Sequence, residues 1–324
     1  MSKKKTLLLL RARAQVKAVA RLLYERYFPY PHLLVVAFPF FALLISNGVI
    51  SADNGLPIFY LLPCLFTLMA LYVYNDLCDS KTDTIEKNPI SRGELQKNVA
   101  VLCTVLFTLF AVVSAVAIYR SPLAIGVLFS FIFFSLAYSG LKTRFKTTMA
   151  GPFVASYVLW TAPSLALIAE FSFLNNVAVC LLCGIFLVFT SHELHHQIGD
   201  FALDKEKKVK TFAVKFGLKK AFLFTIILSV SGFLLLGYSI HLTGARLYAA
   251  VLPLIPLFLF FHILLAFTKH IIIKPNIPVK LILIAFACEV LEFPPLLTLL
   301  VLLIFLAEIY SYVQTVTLQE NSNN

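Results

Sequence analysis

Repeated apolar runs of about 20 residues constrain this chain more than any other feature, because each could cross the roughly 30 Å hydrocarbon layer of a bilayer as a helix. The 324-residue chain is 60% hydrophobic and only 13% charged, which is about half the charged fraction of soluble domains. A spanning segment must satisfy its own backbone hydrogen bonds. We therefore expect an all-α, multi-pass integral membrane protein.

The hydropathy pattern predicts nine transmembrane helices. Their approximate limits are 32–50, 57–74, 97–118, 122–139, 150–169, 175–194, 220–241, 246–268 and 279–312. The ninth span is long for one helix and contains Pro294 and Pro295, which predict a kink or a division into two pieces. The predicted fold is a bundle of nine helices around a central cavity that faces the cytoplasm.

Basic residues fall almost entirely on one side of the predicted spans. Of the 27 Lys and Arg residues, only Arg120 and Arg246 lie on the other side. The positive-inside rule then places the N-terminus in the cytoplasm and the C-terminus outside the cell membrane, which requires an odd number of spans. We attribute the net charge of +11 to this topology and expect no nucleic-acid partner.

Three segments follow from this pattern. Residues 1–30 form a basic segment that we expect to lie on an anionic leaflet of the bilayer. Residues 31–313 form the membrane domain, and residues 314–324 form a polar tail.

The first polar motif combines Asn75 with three carboxylates, Asp76, Asp79 and Asp83. On a helix all four side chains fall within about 100° of arc, so they share one face. Like charges this close repel one another unless a cation lies between them. Clustered oxygen ligands suit Mg²⁺, which binds a few carboxylates together with substrate phosphates.

A second motif with the same spacing contains His196, Gln197, Asp200 and Asp204. Both motifs fall at cytoplasmic ends, of spans 2 and 6, and a segment with Tyr138 to Arg144 ends span 4. Two carboxylate clusters with nearby cations fit a diphosphate held by Mg²⁺. The apolar helices would surround a hydrocarbon tail, which predicts a prenyl diphosphate as substrate and an allylic cation as intermediate.

These motifs resemble the UbiA superfamily of intramembrane prenyltransferases. The first motif matches the Asn-Asp-x-x-Asp-x-x-x-Asp pattern of that family in full, and further likeness lies in segments 87–93, 138–142 and 204–217. The resemblance implies nine transmembrane helices and transfer of an isoprenyl group from a prenyl diphosphate to an acceptor, with Mg²⁺. Acceptors in the family include aromatic quinone precursors, tetrapyrroles, glycerol-phosphate lipids and phosphoribosyl diphosphate, and the sequence does not choose among them.

The resemblance also assigns roles to residues. Five carboxylates would hold Mg²⁺ and act in catalysis: Asp76, Asp79, Asp83, Asp200 and Asp204. Residues expected to bind the substrates are Asn75, Arg92, Tyr138, Lys142, Arg144, Glu193, His196, Gln197 and Lys210. Among these, Lys142 and Arg144 would assist diphosphate departure, with Arg92 and Lys210 as weaker candidates.

The chain departs from the family pattern at three positions. His196 and Gln197 stand where Asn and Asp are frequent, and Asn88 stands where Arg is common. Glu193 lies one turn deeper on the face of His196. It would therefore either replace the missing carboxylate or act on the acceptor.

Three alternatives stay open at the level of sequence. His192, Glu193 and His196 match the His-Glu-x-x-His spacing of zinc sites, although zinc would need a third ligand and would leave the first motif unexplained. A terpene cyclase of the same family would use the prenyl diphosphate without an acceptor. A cation-coupled transporter would also place acidic residues inside the bundle, but at mid-membrane rather than at span ends.

Overall fold

The computed structural model describes residues 12–23, 32–50, 58–81, 88–140 and 144–243, and all regular structure within these ranges is helical. The first helix, α1, covers residues 12–23. The others are α2 (His32–Ser46), α3 (Leu62–Asp79), α4 (Lys97–Ile118), α5 (Pro122–Ser139), α6 (Gly151–Ser156), α7 (Ala162–Glu170), α8 (Asn176–Gly199), α9 (Phe201–Glu206), α10 (Phe212–Phe216) and α11 (Leu218–Leu242).

Six helical segments within the described residues are long and apolar enough to cross a membrane: Phe59–Asp79, Lys97–Ile118, Pro122–Ser139, Gly151–Glu170, Asn176–Gly199 and Leu218–Leu242. They correspond to the second to seventh predicted spans, and α2 is a shorter apolar helix within the first. The described part of the chain is therefore all-helical, and the protein is a multi-pass membrane protein. The predicted spans 246–268 and 279–312 lie outside the described residues, so the number nine stays a prediction.

Two predicted boundaries differ from the structure at their motif ends. Span 2 was expected to end at residue 74, but α3 continues through Asp79. Span 6 was expected to end at residue 194, but α8 continues to Gly199. Polar side chains can extend a helix beyond the hydrocarbon layer when other parts of the protein satisfy them, so hydropathy alone ends these helices too early.

The span Gly151–Glu170 contains a wide turn in its middle. Residues Tyr157–Thr161 form a π-helical turn between α6 and α7. The turn ends two residues before Pro163, which has no N–H to donate. Within this turn the indole of Trp160 stacks on Phe189 of α8, with ring centroids 3.6 Å apart. The wide turn thus fixes a large aromatic side chain in the centre of the bundle.

Helices α8 and α11 approach each other closely at two glycines. A Cβ atom on Gly184 would lie 2.8 Å from a side-chain carbon of Leu236, and one on Gly232 would lie 2.6 Å from a methyl group of Val188. A hydrogen bond of 2.8 Å between the hydroxyls of Ser191 and Ser229 joins the same pair of helices. Small residues that allow close backbone approach are typical of membrane helix interfaces.

Helix α4 forms an outer wall of the bundle. In its most apolar stretch of 18 residues the mean hydropathy is 2.7, yet only 17% of these residues are buried. Its exposed apolar side chains include Val101, Leu102, Val105, Leu109, Val113 and Val116. This surface fits contact with lipid acyl chains.

Candidate active site

A cavity of about 720 Å³ lies at the end of the bundle where α3, α5 and α8 finish, which we call the motif end. Its lining combines carboxylates, cations and hydroxyls from three separate parts of the chain. The lining residues are Asp79, Tyr138, Arg144, Lys146, Thr147, Gly151, Pro152, Glu193, His196, Gln197, Asp200, Asp204, Lys207, Val209 and Thr211.

Asp79 is the carboxylate that the first motif contributes to this cavity. Its side chain is largely buried, and one carboxylate oxygen accepts a hydrogen bond of 2.9 Å from Nη2 of Arg144. The ammonium of Lys146 contacts both oxygens of the same carboxylate. Two cations therefore offset the charge of a carboxylate that would be costly to bury alone.

A short loop after α5 carries both cations. Arg144 has a φ of 34°, a left-handed conformation that is uncommon for residues other than glycine, and it precedes a single 3₁₀ turn, Phe145–Thr147. Its Nε also donates to the carbonyl of Ser139 at 3.2 Å. This tight turn directs Arg144 and Lys146 to the same carboxylate.

Asn75 connects α3 to α5 next to Lys146, which lines the cavity. Its side-chain oxygen accepts hydrogen bonds from the hydroxyl of Ser139 at 2.6 Å and from Lys146 at 3.4 Å. Just beyond, Gly140 packs against the Tyr74 ring so closely that an added Cβ would lie 1.9 Å from the phenol oxygen. Asn75 therefore helps to hold Lys146 beside Asp79.

The second motif lines the opposite part of the cavity. Helix α8 ends at Gly199, and Asp204 lies in the short α9 that follows. Partial burial raises the pKa of the Asp204 carboxyl, against the opposing effects of the Thr211 hydroxyl and of Lys207, and the neighbouring Asp200 carboxylate adds to the increase. Within the described ranges neither carboxylate forms an ion pair at 4.0 Å or less.

Gln197 has a structural contact at a position where the family pattern frequently has a carboxylate. Its side-chain oxygen accepts a hydrogen bond of 3.0 Å from the backbone N–H of Phe212, the first residue of α10. On the same helix His192 and His196 are one turn apart, and their Nε2 atoms are separated by 3.2 Å. Gln197 thus connects α8 to the loop that carries Thr211.

Glu193 lies deeper in the cavity, close to Tyr138. No hydrogen bond or ion pair joins its carboxylate to another of the described residues. The carboxyl of Glu193 is therefore a candidate for contact with a substrate.

Asp76 and Asn88 form a buried connection behind the cavity. Asp76 is fully buried and is not among the described residues that line the cavity. Nδ2 of Asn88 donates to the backbone carbonyl of Asp76 at 2.8 Å, and Oδ1 of Asn88 accepts from the backbone N–H of Ile90 at 2.9 Å. Asn88 thus fixes the loop after the first motif to the end of α3.

The donor set of the cavity is suited to a hard divalent cation. Asp79, Asp200 and Asp204 provide carboxylate oxygens, the ligands that Mg²⁺ prefers. Among the described residues, no three His, Cys, Asp or Glu side chains lie close enough together to enclose a metal ion. This arrangement fits Mg²⁺, which takes part of its coordination from water and substrate phosphates.

Comparison with known proteins identifies the family. The sequence model of the UbiA prenyltransferase family matches residues 33–270. The chain belongs to the UbiA prenyltransferase family. The resemblance expected from the motifs is thereby confirmed, and the match includes both polar motifs.

One curated relative with a similar sequence is digeranylgeranylglyceryl phosphate synthase of Sulfolobus acidocaldarius. The two sequences are 29% identical over 171 residues, which is 52% of this UbiA-family chain and 60% of the relative. The chain thus spans about 60% of the length of that curated relative.

Solved structures share the fold. A digeranylgeranylglyceryl phosphate synthase superimposes with a TM-score of 0.64 at 19% identity, covering 85% of this chain and 99% of the other. A UbiA homologue from Archaeoglobus fulgidus bound to DMAPP and Mg²⁺ gives 0.59 at 17% identity, with coverages of 87% and 99%. The same homologue bound to GPP and Mg²⁺ gives 0.58 at 17% identity, with coverages of 94% and 99%.

The structure brings together most of the site residues expected from the sequence. Those that line the cavity are Asp79, Tyr138, Arg144, Glu193, His196, Gln197, Asp200 and Asp204. Asn75 contacts this group through Lys146. Asp83 and Lys142 lie outside the described residues.

Two weaker candidates are absent from the lining of the cavity, although Lys210 lies between two lining residues, Val209 and Thr211. Arg92 donates to a carboxylate oxygen of Glu94 at 3.0 Å, and Lys210 is exposed. Neither is among the described residues that line the cavity. Their expected contact with diphosphate therefore remains a prediction.

Sequence reasoning did not single out Lys146, Lys207 or Thr211. Lys146 follows Arg144 by two residues in the same basic loop. This proximity is the sequence feature that could have marked Lys146 as a site residue. Thr211 is 3% exposed, and it follows Lys210 in the segment that resembles the family pattern. Only the folded loops show that these side chains reach the cavity.

Proposed function

We propose that this protein transfers an isoprenyl group from a prenyl diphosphate to an acceptor within the membrane. The observation that carries the proposal is one cavity that joins Asp79 of the first motif, Asp200 and Asp204 of the second motif, and three cations, Arg144, Lys146 and Lys207. A diphosphate group needs cationic partners on several sides. The apolar bundle beside the cavity suits the hydrocarbon chain of such a donor.

The residues of this cavity would bind the diphosphate and favour its departure. Mg²⁺, held by Asp79, Asp200 and Asp204 with Asp76 and Asp83 as further proposed ligands, would supply positive charge for the leaving group. Arg144 and Lys146 would exchange their contacts with Asp79 for contacts with phosphate oxygens. Lys207 would neutralise the diphosphate from the side of the second motif.

The reaction itself breaks the bond between the first prenyl carbon and its phosphate oxygen, and the electron pair leaves with diphosphate. The allylic cation would lie near Tyr138, whose ring can stabilise positive charge. Phe134 packs edge-on against Tyr157, with ring centroids 5.6 Å apart, and would continue this aromatic surface. The acceptor then forms a new bond to the first prenyl carbon.

Glu193 would receive the proton that the acceptor loses. Its carboxylate lines the cavity one turn deeper than Gln197 and has no hydrogen bond or ion pair within the described part of the chain. A base must lie within reach of the proton it abstracts. Glu193 is therefore our candidate for the residue that contacts the acceptor.

The basic loops of the protein support one orientation in the membrane. We propose that the motif end faces the cytoplasm of the cell membrane, since the described loops at this end are rich in Lys and Arg. Water-soluble prenyl diphosphates would enter from this side, while a lipid acceptor would enter from the bilayer.

Mass spectrometry of the reaction products tests this proposal. The purified protein in lipid vesicles would receive prenyl diphosphates of several chain lengths, with Mg²⁺ or with a chelator. A phosphoglyceryl lipid is one acceptor to supply, because the curated relative is a digeranylgeranylglyceryl phosphate synthase, and an aromatic quinone precursor is the second. We expect one prenylated adduct per diphosphate released; a cyclic hydrocarbon without an adduct would contradict transfer and indicate a cyclase.

A further inference from the structure

Helix α1 (12–23) packs against the loop that follows the first motif, and the proposed reaction makes no use of it. Nε2 of Gln15 donates to the backbone carbonyl of Glu94 at 3.1 Å. Oε1 of Gln15 accepts from the backbone N–H of Gln96 at 2.8 Å. One side chain of α1 therefore satisfies two backbone groups where this loop enters α4.

An apolar contact strengthens the same attachment. Leu22 of α1 is 2% exposed and packs in a cluster with Val73 of α3 and with Ile90 and Leu95 of the loop. The loop is itself fixed to the first motif, because Asn88 donates to the backbone carbonyl of Asp76. Helix α1 is thus connected through loop 88–96 to the end of α3.

The opposite face of α1 is exposed and basic. Residues 12–23 include three cations, Arg13, Lys17 and Arg21, and no carboxylate. All three are exposed, although Arg21 also lies 3.8 Å from a carboxylate oxygen of Glu94 in the loop. Arg13 and Lys17 are therefore the cations that flank Val16, which is 70% exposed. An apolar side chain among cations is typical of helices that lie at the boundary between headgroups and acyl chains.

We propose that the exposed face of α1 binds the anionic phospholipid headgroups of the adjacent leaflet, and that this binding stabilises loop 88–96 against the first motif. Basic residues near an anionic leaflet gain favourable energy there, and Val16 would enter the acyl boundary. Anionic lipid would then raise turnover by ordering the end of α3. The lipid contact stands by itself, whereas its effect on turnover rests on the proposed function.

Fluorescence quenching tests the lipid contact without any activity. In a Val16→Trp variant the added indole reports on α1, while the one native tryptophan, Trp160, is 2% exposed and stacked on Phe189. The full chain would be placed in vesicles of brominated phosphatidylcholine, with or without phosphatidylglycerol. We expect stronger quenching and a blue-shifted emission with phosphatidylglycerol; equal quenching in both vesicles would overturn the proposal.

Charge variants on the Val16→Trp background show whether the basic face is responsible. Arg13→Gln with Lys17→Gln should abolish the additional quenching caused by phosphatidylglycerol. Lys219→Gln with Lys220→Gln removes the same charge from exposed positions on α11 and should preserve it. If both double variants lost the additional quenching equally, the effect would depend on the net charge of the protein, and a site on α1 would be refuted.

A Gln15→Ala variant tests the connection to the first motif. It should keep the quenching response to phosphatidylglycerol but lose the stimulation of diphosphate release that phosphatidylglycerol causes in the unchanged protein. Full stimulation in this variant would refute the coupling. Absence of diphosphate release under every condition would refute the proposed function instead, while the quenching experiment would still decide the lipid contact.

Discussion

Arg144 donates to the Asp79 carboxylate at 2.9 Å, which joins the first motif to the loop after α5. Lys146 contacts the same carboxylate and also Asn75. The two cations lie where a diphosphate beside Asp79 would need positive charge. We therefore propose that the expected chemistry takes place at the junction of α3 and the 144–147 loop.

Replacement of Lys146 by Met tests the role of this loop. Hydrogen bonds to charged groups contribute about 1.5–3 kcal/mol, so we expect kcat/KM for the prenyl diphosphate to fall by roughly ten- to a hundredfold. The assay is diphosphate release at varied donor concentration. Lys219→Met, at an exposed position of α11, is the control and should retain full activity; an unchanged kcat/KM in Lys146→Met would remove this residue from the site.

Asn88→Ala should destabilise the end of α3. The substitution removes the buried donor to the Asp76 carbonyl and the acceptor for the Ile90 N–H, at a cost of about 1–3 kcal/mol. A lower thermal unfolding midpoint in detergent would show this loss. Asn98→Ala, at an exposed position in the first turn of α4, should leave the midpoint unchanged, and equal midpoints for both variants would argue against a structural role for Asn88.

The sequence predicted the membrane helices better than their polar ends. The predicted limits of spans 3 and 4 coincide with Lys97–Ile118 and Pro122–Ser139, because charged residues and a proline mark those ends. Hydropathy ended span 2 before Asp79, since it could not show that cations from a distant loop satisfy this carboxylate. Such long-range pairing depends on the fold rather than on local composition.

Helical phase predicted that the carboxylates of the first motif share a face, but it did not predict which of them lines the cavity. Asp76 and Asp79 were expected on one face, yet Asp79 lines the cavity and Asp76 is fully buried behind it. The sequence does not mark Lys146, because the reach of its side chain depends on the left-handed backbone of Arg144. A left-handed backbone conformation at a residue other than glycine cannot be predicted from the local sequence.

Glu193→Gln should impair the transfer step more than Cys180→Ala does. Glu193 lines the cavity, whereas Cys180 lies more than three turns earlier on the same helix and does not. Loss of a general base typically lowers a rate by a hundredfold or more, of order 10²–10⁴. Formation of the prenylated adduct is the measurement, and similar rates in the two variants would exclude Glu193 from acceptor chemistry.

Gly232→Ala should weaken the contact between α8 and α11. The added methyl group would lie 2.6 Å from Val188 and 3.0 Å from the Gly184 carbonyl, and overpacking of this kind costs about 1–3 kcal/mol. Gly126→Ala is the matched control, since no atom lies within 4 Å of its added Cβ. Thermal midpoints should fall for Gly232→Ala and stay level or rise for Gly126→Ala; a fall of the same size in both would contradict the close approach.

The central claim is that Asp79 takes part in the release of diphosphate from a prenyl donor. Asp79→Asn keeps the size of the side chain but removes the charge that would hold Mg²⁺ and attract Arg144 and Lys146. The decisive measurement is diphosphate release by the purified variant in vesicles with Mg²⁺, alongside its thermal midpoint as a check on folding. We predict a folded protein without measurable release, and release at the rate of the unchanged protein would contradict the assignment of this cavity as the active site.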